Sequence, residues 1–185
     1  MPSDHSIPDD LDLIGSFVNT LHKDSAQPEV EELDSPAALA AWMKDHGMAR
    51  DKDPDAQELQ GAIRFREALR KLLRTNNGSR VDPESLAALR EAAQEGLIRI
   101  EIDRAGRAMA APARQGLGSL FARLLAAVAD SQAAGTWERM KACADDECEW
   151  AFYDSSKNRS RTWCSMEVCG NRAKTRAYRA RRKKA

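Results

Sequence analysis

The strongest chemical signal in the chain is a set of four cysteines that fall within 27 consecutive residues. They form two C-x4-C pairs, Cys143/Cys148 and Cys164/Cys169, separated by fifteen residues. Each pair can supply two thiolates to one ion while the segment between the pairs folds back as a hairpin. Four thiolates at about 2.3 Å complete a tetrahedral shell and leave no position for a catalytic water. The spacing therefore predicts one structural metal ion per chain, with zinc favoured over iron.

The expected compartment supports metal binding over disulfide formation. The first ten residues are acidic and contain no apolar signal-peptide core, and no run of 18 apolar residues occurs. We therefore expect no signal peptide, no membrane partner and a cytoplasmic location where thiols stay reduced. The alternative of four unrelated cysteines is weaker, because all four cysteines of the chain lie in two equal pairs.

The net charge of zero hides two oppositely charged parts. From Lys157 to Ala185 there are eleven Lys and Arg residues and one acid, Glu167, so this segment carries +10. Because the whole chain has 29 residues of each sign, the preceding 156 residues carry −10. Such asymmetry is typical of a protein with a nucleic-acid-binding tail.

Ser165 can cap a helix that carries Cys169 and continues into the basic end. At 100° per residue, Arg172, Arg176, Arg179 and Lys183 fall in one stripe, beside a face of small residues that can pack on the metal module. We expect the stripe to lie along DNA, and a solvated charged helix is the alternative. The full predicted nucleic-acid-binding set is Arg159, Arg161, Arg172, Lys174, Arg176, Tyr178, Arg179, Arg181 and Lys183.

Helical patterns dominate the first 134 residues. Apolar residues at helical spacing predict a helix over residues 10–23. Three further helices are predicted to begin at Ser35-Pro36, Asp53-Pro54 and Asp82-Pro83, because a capping residue followed by proline is typical of a helix start.

A short hairpin and a final apolar helix follow. Residues 97–103 alternate apolar and charged side chains, which predicts a strand, and residues 109–113 can supply the return strand. The stripe that begins at Leu117 predicts a further helix, and Gly135 marks a boundary. The predicted fold class is α+β. A mostly helical domain with a small β-hairpin (1–134) precedes a four-cysteine zinc-finger module with a basic C-terminal helix (135–185).

The N-terminal domain contains no convincing catalytic set. His5, His22 and His46 are scattered, and none lies at metal-ligand spacing with another His or acid, so we do not expect an enzyme. A small-molecule effector and a second subunit are candidate partners for this large acidic domain. Asn19 and Trp42 are the candidate pocket residues, as polar and aromatic side chains on helices lining a cleft.

Two segments resemble known families. Cys169-Gly170-Asn171-Arg172 is the tetrapeptide that names the CGNR zinc finger, and the upstream part, with Phe17-Val18-Asn19-Thr20, resembles the ABATE domain that usually precedes it. The remaining residues that resemble the finger's pattern are Cys143, Cys148, Trp150, Phe152, Asp154, Ser156, Arg159, Arg161, Trp163, Cys164, Met166, Ala173 and Lys174. One departure is Ser155-Ser156, where the family commonly has a basic residue before the second serine.

The resemblance implies a bacterial, stress-related transcription regulator. It implies that the finger binds DNA and that the ABATE domain senses a ligand. An RNA-binding or ribosome-associated zinc protein is the alternative, because arginines that seek phosphate cannot separate the two polymers.

Overall fold

The computed structural model describes residues 7–24, 27–48 and 51–182, and the predicted α+β class is confirmed. Within these residues, three separate two-stranded antiparallel sheets lie among the helices. The elements are α1 (Asp9–Val18), β1 (Leu21–Asp24), β2 (Gln27–Glu31), α2 (Pro36–Asp45), α3 (Ala56–Thr75), α4 (Pro83–Glu95), β3 (Ile98–Ile102), β4 (Ala108–Pro112), α5 (Leu117–Ala133), a 3₁₀ turn (Trp137–Arg139), β5 (Met140–Ala142), β6 (Ala151–Tyr153), a π-helical turn (Met166–Gly170) and α6 (Asn171–Arg182). None of the described helices is long and apolar enough to cross a bilayer.

Two of the three predicted helix starts are confirmed. The Ser35 hydroxyl accepts a hydrogen bond from the Ala38 N–H, and the Asp82 carboxylate accepts one from Ser85, each with proline next in the chain. The third start is displaced, because Asp55 rather than Asp53 caps α3. Asp55 forms a reciprocal capping box with Glu58, which satisfies two free N–H groups at the helix start.

The prediction of one helix over residues 10–23 is wrong beyond Val18. The chain turns at Asn19 and Thr20 and then forms β1, which pairs with β2. The buried Thr20 hydroxyl donates to the Phe17 carbonyl at 2.8 Å and so satisfies an acceptor at the end of the helix. This β1–β2 hairpin was not predicted.

One apolar core continues across the predicted boundary at residue 135. Helices α1, α3 and α5 supply most of the core, with Phe17, Phe65 and Leu120 almost completely buried. Trp137, Met140, Ala142 and Ala151 from the finger segment belong to the same cluster. The division into residues 1–134 and 135–185 stays a prediction, and the packing is continuous across it.

Strands β5 and β6 form the hairpin of the zinc finger. Three asparagines of the N-terminal part bind the backbone at the two edges of this finger hairpin. Asn19 forms two hydrogen bonds with Ala151 in β6, donating to its carbonyl at 3.0 Å and accepting from its N–H at 2.8 Å. Asn76 donates to the Met140 carbonyl, and Asn77 donates to the Ala142 carbonyl. The finger hairpin is therefore held from both sides by side-chain amides of the preceding domain.

We expect Asn19→Ala to lower the free energy of unfolding by about 2–4 kcal/mol. The substitution leaves the N–H and C=O of the buried Ala151 without partners, at about 1–3 kcal/mol for each unsatisfied group. Urea unfolding measures the change. Asn158→Ala, at an exposed loop position, is the matched control and should change stability by less than about 0.5 kcal/mol. Equal stability of the two variants would contradict the role of Asn19.

Candidate metal centre and basic helix

The structure brings the four predicted metal ligands together. Their sulfur atoms all lie within 4.8 Å of one another. The Sγ atoms of Cys148 and Cys164 are 3.5 Å apart, and those of Cys164 and Cys169 are 3.7 Å apart. Four ligands at about 2.3 Å from a tetrahedral zinc ion have sulfur–sulfur separations of about 3.8 Å. The donor set and its spacing therefore fit a closed zinc site.

The clustered thiols share protons with one another. Hydrogen bonds from Cys148 and Cys164 lower the pKa of Cys143 to about 2. The hydrogen bond with Cys143 raises the pKa of Cys148 to about 12, and it raises the pKa of Cys164 as well. Adjacent thiolates repel one another, so a divalent cation has to displace protons before all four can bind it.

The turn that carries the first cysteine pair, Cys143–Cys148, is called the first metal knuckle. It is fixed to the N-terminal part of the chain through Glu149, the residue after Cys148. Its backbone adopts a left-handed conformation (φ 51°), and its side chain is 7% exposed. Lys23 donates to the Glu149 carboxylate at 2.8 Å and Arg74 donates to it at 2.7 Å. Burial alone raises the pKa of Glu149, but the hydrogen bond from Lys23 and the neighbouring cations bring the pKa below its usual value. Arg70 donates to the Glu149 carbonyl at 2.9 Å, so α3 holds both ends of this residue.

Asp145 connects the same knuckle to α6. This carboxylate is 1% exposed and forms ion pairs with Arg172 at 2.9 Å and Arg176 at 2.5 Å. Arg172 also donates to the Cys169 sulfur at 3.3 Å. Its positive charge offsets part of the excess negative charge that four thiolates leave around a divalent ion. Arg172 and Arg176, which were predicted to bind nucleic acid, therefore fix the start of α6 against the metal site.

The loop between the two cysteine pairs is organised around a buried ion pair. Lys141 donates to the Asp154 carboxylate at 2.8 Å and to the carbonyl oxygens of Arg159 and Arg161. Burial raises the pKa of Asp154, but the hydrogen bonds from Lys141 and Ser156 outweigh it and lower that pKa to about 2. The Asp154 carboxylate is therefore charged at neutral pH, and its pair with Lys141 shapes the loop that precedes Cys164.

The two predicted loop arginines have partners within the chain. Arg159 donates to Glu138 at 3.0 Å. Arg161 donates to the carbonyls of Trp163 and Cys164, and its guanidinium lies 5.0 Å from the centre of the Phe152 ring. Arg161 thus supports the loop before Cys164, whereas the Arg159–Glu138 pair lies on the surface and leaves Arg159 exposed.

The outer part of α6 is exposed. Lys174, Tyr178, Arg179 and Arg181 all lie on the surface. The predicted packing of the small-residue face on the finger is limited to the first turn, because only Ala173 is half-buried. Lys183, the last member of the predicted stripe, lies outside the described residues.

The two candidate pocket residues have other contacts. The Asn19 amide binds Ala151, and the Trp42 ring stacks on His46 with ring centres 3.8 Å apart. Five cavities in the described part of the chain are lined by other residues. One of about 290 Å³ lies between α3, α4 and α5, with Phe65 and Phe121 in its wall.

Sequence reasoning missed the charged residues that support the site, above all Asp145 and Glu149. Both lie in or beside the first cysteine pair, in the acidic run 145–147 and directly after Cys148. An acidic run beside predicted metal ligands and upstream of a basic helix could have predicted ion pairs between the two segments. The buried Lys141 carries no such signal, because its partner Asp154 is thirteen residues away.

Zinc binding is expected to release at least two protons at pH 7. The raised pKa values of Cys148 and Cys164 keep these thiols protonated until the metal displaces their protons. Because protons compete with the metal, affinity should fall as pH is lowered from about 8 to 6. Calorimetric titration in buffers of different ionisation enthalpy measures the release. Binding without proton release, or fewer than one zinc per chain, would contradict this assignment.

Comparisons with known proteins agree with this geometry. The family model for the CGNR zinc finger matches residues 139–182. The ABATE model, described as "Putative stress-induced transcription regulator", matches residues 11–135. No curated protein gives a match. The four cysteines thus hold one structural zinc ion, and the chain belongs to the ABATE family and carries a CGNR zinc finger at its C-terminal end.

Proposed function

We propose that the protein is a DNA-binding transcription regulator that acts in the cytoplasm and contacts DNA with α6. The observation that carries the proposal is the helix itself. It has six basic residues and no acid, exposes all of its length beyond the first turn, and begins two residues after a zinc ligand. A helix with exposed cations fits the major groove of B-DNA, and the zinc site fixes its direction.

The ion pairs divide the cations of α6 into two groups. Arg172 and Arg176 bind Asp145, so they position the helix. Lys174, Tyr178 and Arg181 follow one another at helical spacing on a different face, and no ion pair to any of them is found among the described residues. This second face is the proposed DNA-contacting face, and Arg179 lies on the other side of the helix, in the stripe of Arg172 and Arg176.

Tyr178 adds a planar group to the same face. The residue is 55% exposed, and the Arg182 guanidinium lies 6.0 Å from the ring centre. A ring flanked by cations can contact a sugar or stack on an unpaired base. The tyrosine is therefore the residue through which a single-stranded RNA ligand would differ from duplex DNA.

The N-terminal domain is proposed to sense a small ligand and to pass the signal along α3. Near its start, Gly61 and Phe65 line the 290 Å³ cavity. Near its end, Arg70 and Arg74 bind Glu149 beside the zinc site. One rigid helix therefore joins a cavity to the metal knuckle.

We expect Lys174→Ala and Arg181→Ala each to weaken DNA binding while zinc content and thermal stability stay unchanged. A cation that neutralises one phosphate contributes about −0.9 to the slope of log K against log salt, so each change should reduce the slope by about one. Fluorescence anisotropy at several salt concentrations measures both quantities. Arg90→Ala, an exposed arginine on α4, is the matched control and should leave the slope unchanged.

The same titrations separate the two nucleic acids. Duplex DNA, duplex RNA and single-stranded RNA of one sequence are compared, together with Tyr178→Ala. Tighter binding to single-stranded RNA, with a large loss in Tyr178→Ala, would replace the DNA proposal with RNA binding. Unchanged affinity in both cation variants for every ligand would show that α6 is not the binding element.

A further inference from the structure

The β3–β4 hairpin exposes an apolar face and an unpaired strand edge. Ile98, Ile100 and Ile102 of β3 are 45%, 67% and 65% exposed. Opposite them in β4 are Pro112, Ala110 and Ala108, so this face of the hairpin carries no charge. Exposed apolar surface of this kind marks an interaction site in a soluble protein.

In an ordinary surface hairpin the apolar face packs on the domain and the polar face points to solvent, and in the β3–β4 hairpin this arrangement is reversed. Its charged residues Arg99 and Glu101 line a cleft shared with Ser119 and Arg123 of α5. The isoleucines lie on the other face, because side chains alternate along a strand. The hairpin therefore points its polar side chains toward its own domain and its isoleucines away from it.

The hydrogen-bond pattern identifies which backbone groups of β3 are free. The Leu97 carbonyl accepts from the Ala113 N–H, and the Asp103 N–H donates to the Arg107 carbonyl. The odd-numbered residues of β3 therefore face β4, because the two directions alternate along an antiparallel ladder. The N–H and C=O groups of Ile98, Ile100 and Ile102 point to the outer edge, where no described residue binds them.

Most features that protect an edge strand are missing from β3, and its two charged residues, Arg99 and Glu101, pair with each other on the face opposite the isoleucines. The strand has no proline and no lysine, and its register with β4 is continuous, without a bulge. Natural proteins use such features to prevent edge-to-edge association. β4 lies against α5, whereas all five residues of β3 are exposed, so a second chain can approach β3.

We propose that β3 pairs with β3 of a second copy of this chain, antiparallel and with the two-fold axis at Ile100. The sequence Ile98-Arg99-Ile100-Glu101-Ile102 is self-complementary in this register. Ile98 lies opposite the partner's Ile102, and Ile100 lies opposite its own copy. Arg99 pairs with Glu101 of its own chain at 2.5 Å. In the dimer it also lies opposite the partner's Glu101, so two cations and two anions alternate across the axis.

The pairing satisfies the free edge and continues the sheet. The two hairpins become one four-stranded sheet in the order β4, β3, β3, β4, joined by about six backbone hydrogen bonds. Six isoleucines form a single ladder on one face, where cross-strand aliphatic pairs stabilise a sheet. The two sides of the axis bury the same surface, as a two-fold dimer requires.

The test is sedimentation equilibrium of the full chain without nucleic acid, so its result is independent of the proposed DNA binding. The wild-type chain should show a mass of twice 20.5 kDa that falls to 20.5 kDa on dilution. Ile100→Lys, which places two like charges on the axis, should remain at 20.5 kDa. Val30→Lys, an exposed valine in the β1–β2 hairpin, is the matched control and should dimerise like the wild type.

A charge-reversal cycle tests the register. Arg99→Glu and Glu101→Arg each put two like-charged pairs across the axis, so each should raise the dimer dissociation constant by about tenfold. The double variant R99E/E101R exchanges the charges and should restore the wild-type constant. Melting curves establish that each variant is folded.

Three results would overturn the proposal. The first is a wild-type chain that stays monomeric up to about 100 µM. The second is a dimer that persists in Ile100→Lys. The third is a double variant that dimerises no better than the two single reversals, which would exclude this register even if a dimer forms.

Discussion

Two arginines of α3 keep their charge inside the protein, and their need for partners determines how the two ends of the chain meet. Arg66 is 1% exposed and Arg70 is 0% exposed. A guanidinium cannot lose its proton at any ordinary pH, so burial without acceptors would cost several kcal/mol. Arg66 therefore pairs with both carboxylate oxygens of Glu31, at 2.6 and 2.7 Å. This bidentate contact holds the β1–β2 hairpin on α3.

The buried Arg70 guanidinium also needs acceptors, and one of them lies beside the zinc site. It donates to the Val18 carbonyl at the end of α1 and to the Glu149 carbonyl beside Cys148. One side chain thus links the first helix of the chain to the first metal knuckle. The zinc site is consequently packed against the N-terminal helices, although its ligands lie within a short segment of the sequence.

The sequence predicted features that depend on neighbouring residues and missed those that depend on distant ones. The metal ligands could be predicted because a tetrahedral shell requires paired donors at short spacing. The helix caps at Ser35 and Asp82 could be predicted because a capping residue and a proline are adjacent in the sequence. The prediction failed at Asn19, where the apolar spacing continues but the chain turns. The physical reason is Ala151, whose outward N–H and C=O groups need the Asn19 amide 132 positions away.

The same limit explains what a helical wheel can say about α6. The wheel correctly groups Arg172 and Arg176, since both reach one carboxylate of Asp145. It contains no information about which side of the helix that carboxylate occupies, because Asp145 belongs to another part of the chain. Once Asp145 is placed, the densest row of arginines becomes the side that fixes the helix to the zinc knuckle. Contact with a nucleic acid then falls to cations that have no acidic neighbour, and Lys174 and Arg181 meet that condition among the described residues. Charge that remains uncompensated after folding, rather than charge counted along the sequence, is what attracts a polyanion.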